Sequence, residues 1–262
     1  GMTQYDAGSV YPNDHHGALH ICTAVTFAHN QYRDLGWDLT RVDLQWPDDD
    51  GNFFSSDFDE VHITRDTAWD DGTVCHEYGH YWHHIHAHNV EFDYCNGVCD
   101  DGDDCSHCGW CPEYDEVSWN EGCAQILSRL STAYIEEHAA FTPAHKGIDS
   151  LVDSPDCDWE PWNIEFVVAG AAWDMADDDR GTETDNFRTD ALGNTVYDQL
   201  DLSTWDLLHI MADHCPVEGH EPYRWPGFFR CAAAYLDEQG SPVLSAAARD
   251  PLRRSPYAPA PT

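Results

Sequence analysis

The stretch His76-Glu77-Tyr78-Gly79-His80 decides how the rest of this 262-residue chain is interpreted. Its two histidines are four positions apart, so on a helix both imidazoles project from the same face, with Glu77 beside them. We expect the helix that carries them to run from about Thr73 to about His88. Two imidazoles placed in this way can bind one metal ion.

The same side chains are typical of a zinc hydrolase. A neutral imidazole is a good Zn²⁺ ligand, and three protein ligands leave a fourth position for water, whose pKa the metal lowers from about 15.7 to about 7. Glu77 is then placed to accept the proton of that water. Strings of the form His-Glu-x-x-His also occur by chance, so the interpretation depends on a third ligand elsewhere in the chain.

Glu121 is the first candidate for the third ligand. It lies in the string Trp119-Asn120-Glu121-Gly122-Cys123-Ala124. Together with the histidine pair, this string resembles the second signature of the gluzincin metallopeptidases, the thermolysin-like and aminopeptidase-like group. In that group a glutamate in an Asn-Glu-Gly-x-Ala-like string on a following helix completes the site. The resemblance implies a zincin-like fold and zinc-dependent hydrolysis of a peptide or protein substrate.

The chain departs from the gluzincin pattern in two places. The gap before Glu121 is wider than in aminopeptidase-like members, and a cysteine-rich insert at about residues 94–116 accounts for the extra length. Gln125 stands where thermolysin-like members have an aspartate that orients a histidine ligand. We therefore expect another residue to orient the histidines here. Asp174 is a candidate, although it is equally suited to capping a loop.

His86 is the alternative third ligand. With His76 and His80 it has the spacing of the metzincin peptidases, which this stretch also resembles. In that family a glycine turns the chain so that the third histidine returns to the metal, but position 83 is a histidine here. His84 lies one turn further along the helix, and a straight helix carries it away from a tetrahedral centre. We prefer Glu121 and interpret the histidines from position 83 to 88 as a polar helix end.

A donor that stabilises the oxyanion is also needed for peptide hydrolysis, and we expect it from the second half of the chain. Tyr197 and His209 are the candidates, although such residues more often have a packing role. We expect an endopeptidase, since no residue set suited to a free substrate amine is evident. The competing hypothesis is a non-catalytic extracellular binding module on a peptidase scaffold. Such a module has no need of a general base at Glu77.

The charge of the chain limits its partners. It has 49 acidic and 12 basic residues, a formal net charge of -37. Nucleic acids and anionic membranes are bound through basic patches, so both are disfavoured as partners. The sequence contains no apolar run of about 18 residues, so no membrane span is predicted. The acidity fits either a solvated surface tolerant of high salt or Ca²⁺ sites built from clustered carboxylates. We expect a monomer.

Eleven cysteines predict disulfides and a secreted or extracytoplasmic location. The first residues lack the charged and apolar regions of a signal peptide, which is compatible with an export signal that has been trimmed away. The insert resembles short cysteine repeats of secreted myxobacterial proteins, in which the cysteines form disulfides; a structural zinc knot is the alternative. Cys75 and Cys123 are candidates for a bridge between the two site helices, the alternative being two small buried side chains. The cysteines of the insert are Cys95, Cys99, Cys105, Cys108 and Cys111.

The remaining patterns predict an α+β fold. The N-terminal half has a small mixed sheet and the active-site helix, and the C-terminal half is mainly helical. We treat residues 3–248 as one zincin-like domain that contains the insert, and residues 249–262, with four prolines, as a mobile tail or linker. Helices are predicted at 18–35, 119–137, 162–176, 203–214 and 226–238, and strands at 42–46 and near 61–63.

Overall fold

The computed structural model describes residues 15–87, 115–139, 165–173, 176, 188–189, 195–196, 202–215, 227–228, 231–232 and 234–235. A small mixed sheet follows the first helix, and helices dominate the rest, so the predicted α+β class is confirmed. The elements are α1 His15–Asp34, β1 Asp43–Asp48, β2 Phe53–Ser55, β3 Glu60–Thr64, α2 Asp71–His86, α3 Asp115–His138, α4 Glu165–Trp173, β4 Arg188–Thr189, β5 Thr195–Val196 and α5 Thr204–His209. A π-helical turn, Ile210–His214, follows α5 directly.

The sheet of β1, β2 and β3 lies beside α2. Its strand order is β1-β3-β2, with β1 parallel and β2 antiparallel to the central strand. Val61 and Ile63 of β3 are fully buried, whereas the residues that alternate with them are only partly buried. The strands predicted from the alternation are confirmed, but β2 was not predicted. It has only three residues, and its pairing with β3 stabilises it rather than any local pattern.

Helix α2 begins at a side-chain cap. The Asp70 carboxylate accepts a hydrogen bond from the Thr73 backbone N–H at 3.3 Å and another from the Thr73 hydroxyl at 3.1 Å. This satisfies a helix N–H that has no partner within the helix itself. The helix therefore starts two residues before the predicted Thr73 and ends at His86, close to the predicted His88.

Two glycines let three helices approach closely. A Cβ atom added at Gly79 would lie 3.1 Å from the Leu127 Cβ and 3.2 Å from the Ala124 carbonyl oxygen, so α2 packs tightly on α3. A Cβ atom at Gly122 would lie 2.5 Å from a methyl group of Val168, so α3 packs equally tightly on α4. Both glycines belong to the strings that the sequence singled out, and they allow the polar residues beside them to meet.

Helix α1 is fixed to α3 by buried hydrogen bonds. The Gln31 side-chain amide donates to the Leu130 carbonyl oxygen at 3.0 Å, and the Tyr32 hydroxyl lies 3.0 Å from the Ser131 hydroxyl. Tyr32 also packs against Trp82 of α2, with ring centroids 5.6 Å apart. Helix α2 is thus enclosed by α1, α3 and the sheet, and it is buried along most of its length.

The predicted helices agree with the structure to within a few residues where they are described. Helix α3 begins at Asp115, so the end of the predicted insert at about 94–116 is already helical, and residues 94–114 lie outside the described residues. Residues 249–262, the predicted tail, also lie outside them. No helix within the described parts combines the length and the apolar character needed to cross a bilayer.

The cysteine predictions are partly confirmed. Cys215 and Cys231 form a disulfide that ties the end of the π-helical turn to the following helical residues. The bridge considered between Cys75 and Cys123 is wrong, because both carry free thiols. Burial raises the pKa of both thiols, which keeps them protonated. They are small buried side chains of the hydrophobic core.

Candidate metal centre

Three polar atoms from α2 and α3 converge at one point. The Nε2 atoms of His76 and His80 are 3.1 Å apart, and each lies 3.1 Å from the Oε2 atom of Glu121. The side chains are buried, with 7%, 7% and 3% of their residue surfaces exposed. This group can bind a metal ion, as the sequence predicted.

Protons cannot satisfy all three contacts at once. If both histidines donate to Glu121, their two N–H groups face each other instead of bonding. If one histidine donates to the other, its single Nε2 proton is no longer directed at the carboxylate. A cation bound between the three atoms interacts favourably with every one of them. The donor set therefore fits a metal ion better than it fits a closed hydrogen-bond network.

The charges around His76 also favour a cation. Burial by itself lowers the pKa of His76, but the hydrogen bond to Glu121 and the negative charges of Glu77, Glu121 and Glu165 raise it overall. All three carboxylates are buried. Several negative charges in a poorly solvated site destabilise one another, and a divalent cation offsets that cost.

Glu77 lies next to the converging atoms. It follows His76 directly on α2, is 7% exposed, and is near enough for its charge to act on the His76 ring. A carboxylate in this position can exchange protons with a small molecule bound at the centre.

Glu165 is a buried carboxylate that the sequence did not reveal. It is the first residue of α4, and its Oε1 atom accepts a hydrogen bond from the Gln125 side-chain amide at 2.8 Å. Its backbone carbonyl lies against Gly122, one residue after Glu121. A glutamate at a helix start gives no signal by itself, so only the packing of α4 on α3 could have identified it. Gln125 thus binds this carboxylate.

His83 corrects the interpretation of the histidine-rich helix end. It is 1% exposed, and its Nδ1 atom lies 3.2 Å from the Oδ1 atom of Asn120. Burial lowers the pKa of His83 to about 3, so the ring is neutral over most of the pH range. The position was interpreted as part of a polar helix end, because the local pattern does not show that α3 covers it.

We expect His83 to make the free energy of unfolding depend on pH. The unfolded residue has a pKa of about 6.5, so below that pH the unfolded chain binds a proton that the folded chain does not. The contribution of His83 therefore becomes more unfavourable as the pH falls. We expect the free energy of unfolding of the metal-free protein, measured in urea, to fall between about pH 6.5 and about pH 4. The fall should be up to about 3 kcal/mol larger in the wild type than in His83→Phe. The exposed His138 provides the control, and its replacement by phenylalanine should leave the wild-type slope unchanged. If the free energy of unfolding had the same pH dependence in the wild type and in His83→Phe, the prediction would be contradicted.

The alternative ligands lie elsewhere. Helix α2 remains helical through His86, so the chain does not turn back after position 83. The His86 ring packs against Trp37 and Trp82 at centroid distances of 5.1 and 5.3 Å. The His84 ring packs against Phe54 at 5.5 Å. Among the described residues, the structure thus brings Glu121, and not His86 or His84, to the histidine pair.

His209 is placed on the surface of the helical half. Its Nδ1 atom lies 2.9 Å from the Asp213 carboxylate, and its ring stacks on Trp205 at 4.7 Å and approaches Tyr235 at 5.7 Å. None of these partners belongs to the metal-binding group, and the role of His209 in catalysis stays a prediction. Tyr197 and Asp174, the other candidates, lie outside the described residues.

Comparison with known proteins finds a similar protein, whose own activity is not known. No protein-family model matches the chain. The chain is similar to an uncharacterized protein of Archaeoglobus fulgidus, with 29% identity over 195 residues that cover 71% of this chain and 51% of that protein. The chain thus spans about half the length of the curated relative that it matches.

Proposed function

We propose that this protein is a secreted zinc-dependent peptidase of the gluzincin type, with a zincin-like fold and endopeptidase activity. The observation that carries the proposal is the convergence of His76, His80 and Glu121, whose donor atoms are 3.1 Å apart, with Glu77 buried beside them. A structural metal site does not require an additional carboxylate next to its ligands.

The donor set favours zinc over calcium. Two imidazole nitrogens and one carboxylate oxygen are a common protein ligand set for catalytic Zn²⁺. Calcium binds six to eight oxygen atoms, and two of the three donors here are nitrogens. Calcium sites elsewhere on this acidic chain remain a separate hypothesis. Bound zinc would supply Lewis-acid chemistry by polarising a substrate carbonyl and acidifying water.

Glu77 would perform the proton transfers. Its carboxylate would take a proton from the attacking water and later deliver it to the nitrogen of the leaving amine. Burial of the site supports this role, because a low-dielectric environment strengthens the interaction of each charged group with the reacting atoms. Endopeptidase activity is part of this proposal as the mode of hydrolysis that the sequence led us to expect.

The proposed location follows from cysteine chemistry. The disulfide between Cys215 and Cys231 is the type of bond that forms and persists in oxidising compartments. The eleven cysteines of the chain agree with the same environment. Secretion would also expose the enzyme to protein substrates outside the cell.

The experiment is a proteolysis assay on unfolded casein with controlled metal content. We expect the zinc-loaded protein to hydrolyse casein, a chelator to abolish hydrolysis, and added Zn²⁺, but not Ca²⁺, to restore it. The assay should be run at low and at molar salt, because the net charge of -37 strengthens self-repulsion when it is not screened. Absence of hydrolysis by fully zinc-loaded protein at every salt concentration would contradict the proposal and favour a non-catalytic binding module.

A further inference from the structure

A polar pair spans α2 and α3 immediately beside the metal-binding group. His83 follows His80 by one helical turn on α2, and Asn120 directly precedes Glu121 on α3. The Nδ1 and Oδ1 atoms of the pair are 3.2 Å apart, and each residue is 1% exposed. The contact between His80 and Glu121, at 3.1 Å, and the contact between His83 and Asn120 are therefore successive links between the same two helices.

The direction of this hydrogen bond follows from the chemistry of its acceptor. Because the Asn120 side-chain oxygen can only accept, the Nδ1–H group of His83 donates to it. Breaking the bond would remove a buried polar contact between α2 and α3, which destabilises the interface of the two helices.

Apolar residues at both positions 83 and 120 could fill the same space. They would avoid the cost of burying an imidazole and an amide, so packing alone does not explain the pair. A hydrogen bond differs from an apolar contact in its direction, because it fixes both the distance and the rotation of the groups that it joins. Metal ligands must be placed to within about 0.2 Å of their ideal distances. Apolar packing between two helices does not guarantee this, because apolar contacts have no fixed direction.

We propose that His83 and Asn120 form a positioning pair, whose hydrogen bond holds Glu121 of α3 at the correct distance from His80 of α2 for metal binding. His83 is then neither a ligand nor a general packing residue. This inference rests on the metal site of the proposed function, but it does not require peptidase activity.

The test measures zinc affinity by competition with a chromophoric chelator, using the full chain. The variants are Asn120→Ala, His83→Phe, the double variant, and Asn120→Asp, which keeps an acceptor for the His83 N–H group. Ser128→Ala is the matched control. The buried Ser128 hydroxyl donates to the Gly72 carbonyl oxygen at 2.7 Å, so this variant also removes a hydrogen bond between α3 and α2, away from Glu121.

We expect each single loss at the pair to weaken zinc binding about 10- to 100-fold, the range seen when a partner of a ligand is removed. The zinc affinity of the double variant should be no lower than that of the single variant with the lower affinity, because the first change already breaks the hydrogen bond. Asn120→Asp should restore affinity to within a few-fold of the wild type. Ser128→Ala should lower the midpoint of urea unfolding without changing zinc affinity. The visible spectrum of the Co²⁺-loaded protein should change in Asn120→Ala and not in Ser128→Ala.

Other outcomes would overturn the inference. Equal zinc affinities in Asn120→Ala and Ser128→Ala would show that the pair has no special role, as would additive losses in the double variant. Should Asn120→Ala fail to fold, Asn120→Ser, which is too short to reach His83, takes its place with the same expected loss. A wild type that binds zinc but hydrolyses no peptide would contradict the proposed function alone. If the wild type hydrolyses peptides but Asn120→Ala and His83→Phe keep its zinc affinity, only the positioning role of the pair would be contradicted.

Discussion

Replacing Glu77 with glutamine is expected to lower the rate of peptide hydrolysis by about 10²- to 10⁴-fold, the contribution typical of a general base. The amide has nearly the same shape as the carboxylate but cannot accept the proton of water. Because Glu77 is not one of the three converging donors, the zinc content of the variant should equal that of the wild type. The measurement is kcat/KM on an internally quenched peptide, combined with elemental analysis of bound zinc.

The control for Glu77→Gln removes a carboxylate elsewhere. Glu137 lies near the end of α3 and is exposed, so Glu137→Gln changes the net charge by the same amount without touching the site. Its kcat/KM should remain within about twofold of the wild type, since surface substitutions rarely perturb a distant site. If Glu77→Gln retained wild-type activity at full zinc content, another group would have to be the base. If it lost zinc as well, its role would be structural.

The parts of the site that depend on local periodicity were predictable. The spacing of His76 and His80 places them on one helix face whatever surrounds the helix, and α2 has this geometry. Glu121 is different, because it is 45 positions from His76 in sequence. No periodicity connects residues at that separation. Only the resemblance to a known pair of motifs suggested it, and the close packing at Gly79 brings it into place.

The residues that the sequence did not identify depend on tertiary contacts. His83 belongs to a run of histidines that is typical of a polar helix end, but α3 covers it and burial keeps it neutral. Glu165 became part of the site through the contact of α4 with Gly122. The bridge considered between Cys75 and Cys123 was wrong for a related reason. Disulfides require a specific distance and direction between two Cβ atoms, and helix adjacency does not supply these.

Glu121→Ala is expected to abolish stable zinc binding. The variant keeps two imidazoles but loses the carboxylate, which is both the third donor and a negative charge that offsets the cation. The affinity should fall by more than the roughly 100-fold upper limit typical of partners that only orient a ligand. Zinc content after dialysis against a chelator measures the loss, and the Co²⁺ spectrum reports on the remaining coordination.

His86→Ala tests whether His86 is the third metal ligand, as the metzincin resemblance implies. The His86 ring packs on Trp37 and Trp82, so its removal should lower the free energy of unfolding by leaving a cavity, while zinc affinity stays at the wild-type value. The two variants therefore predict opposite patterns, because Glu121→Ala should lose metal and His86→Ala should lose only stability. Zinc retained in Glu121→Ala and lost in His86→Ala would require α2 to unwind after His80 and would support metzincin-like ligation. The continuous helix through His86 makes that rearrangement costly, since it would break the helical hydrogen bonds of the last turn and expose His83.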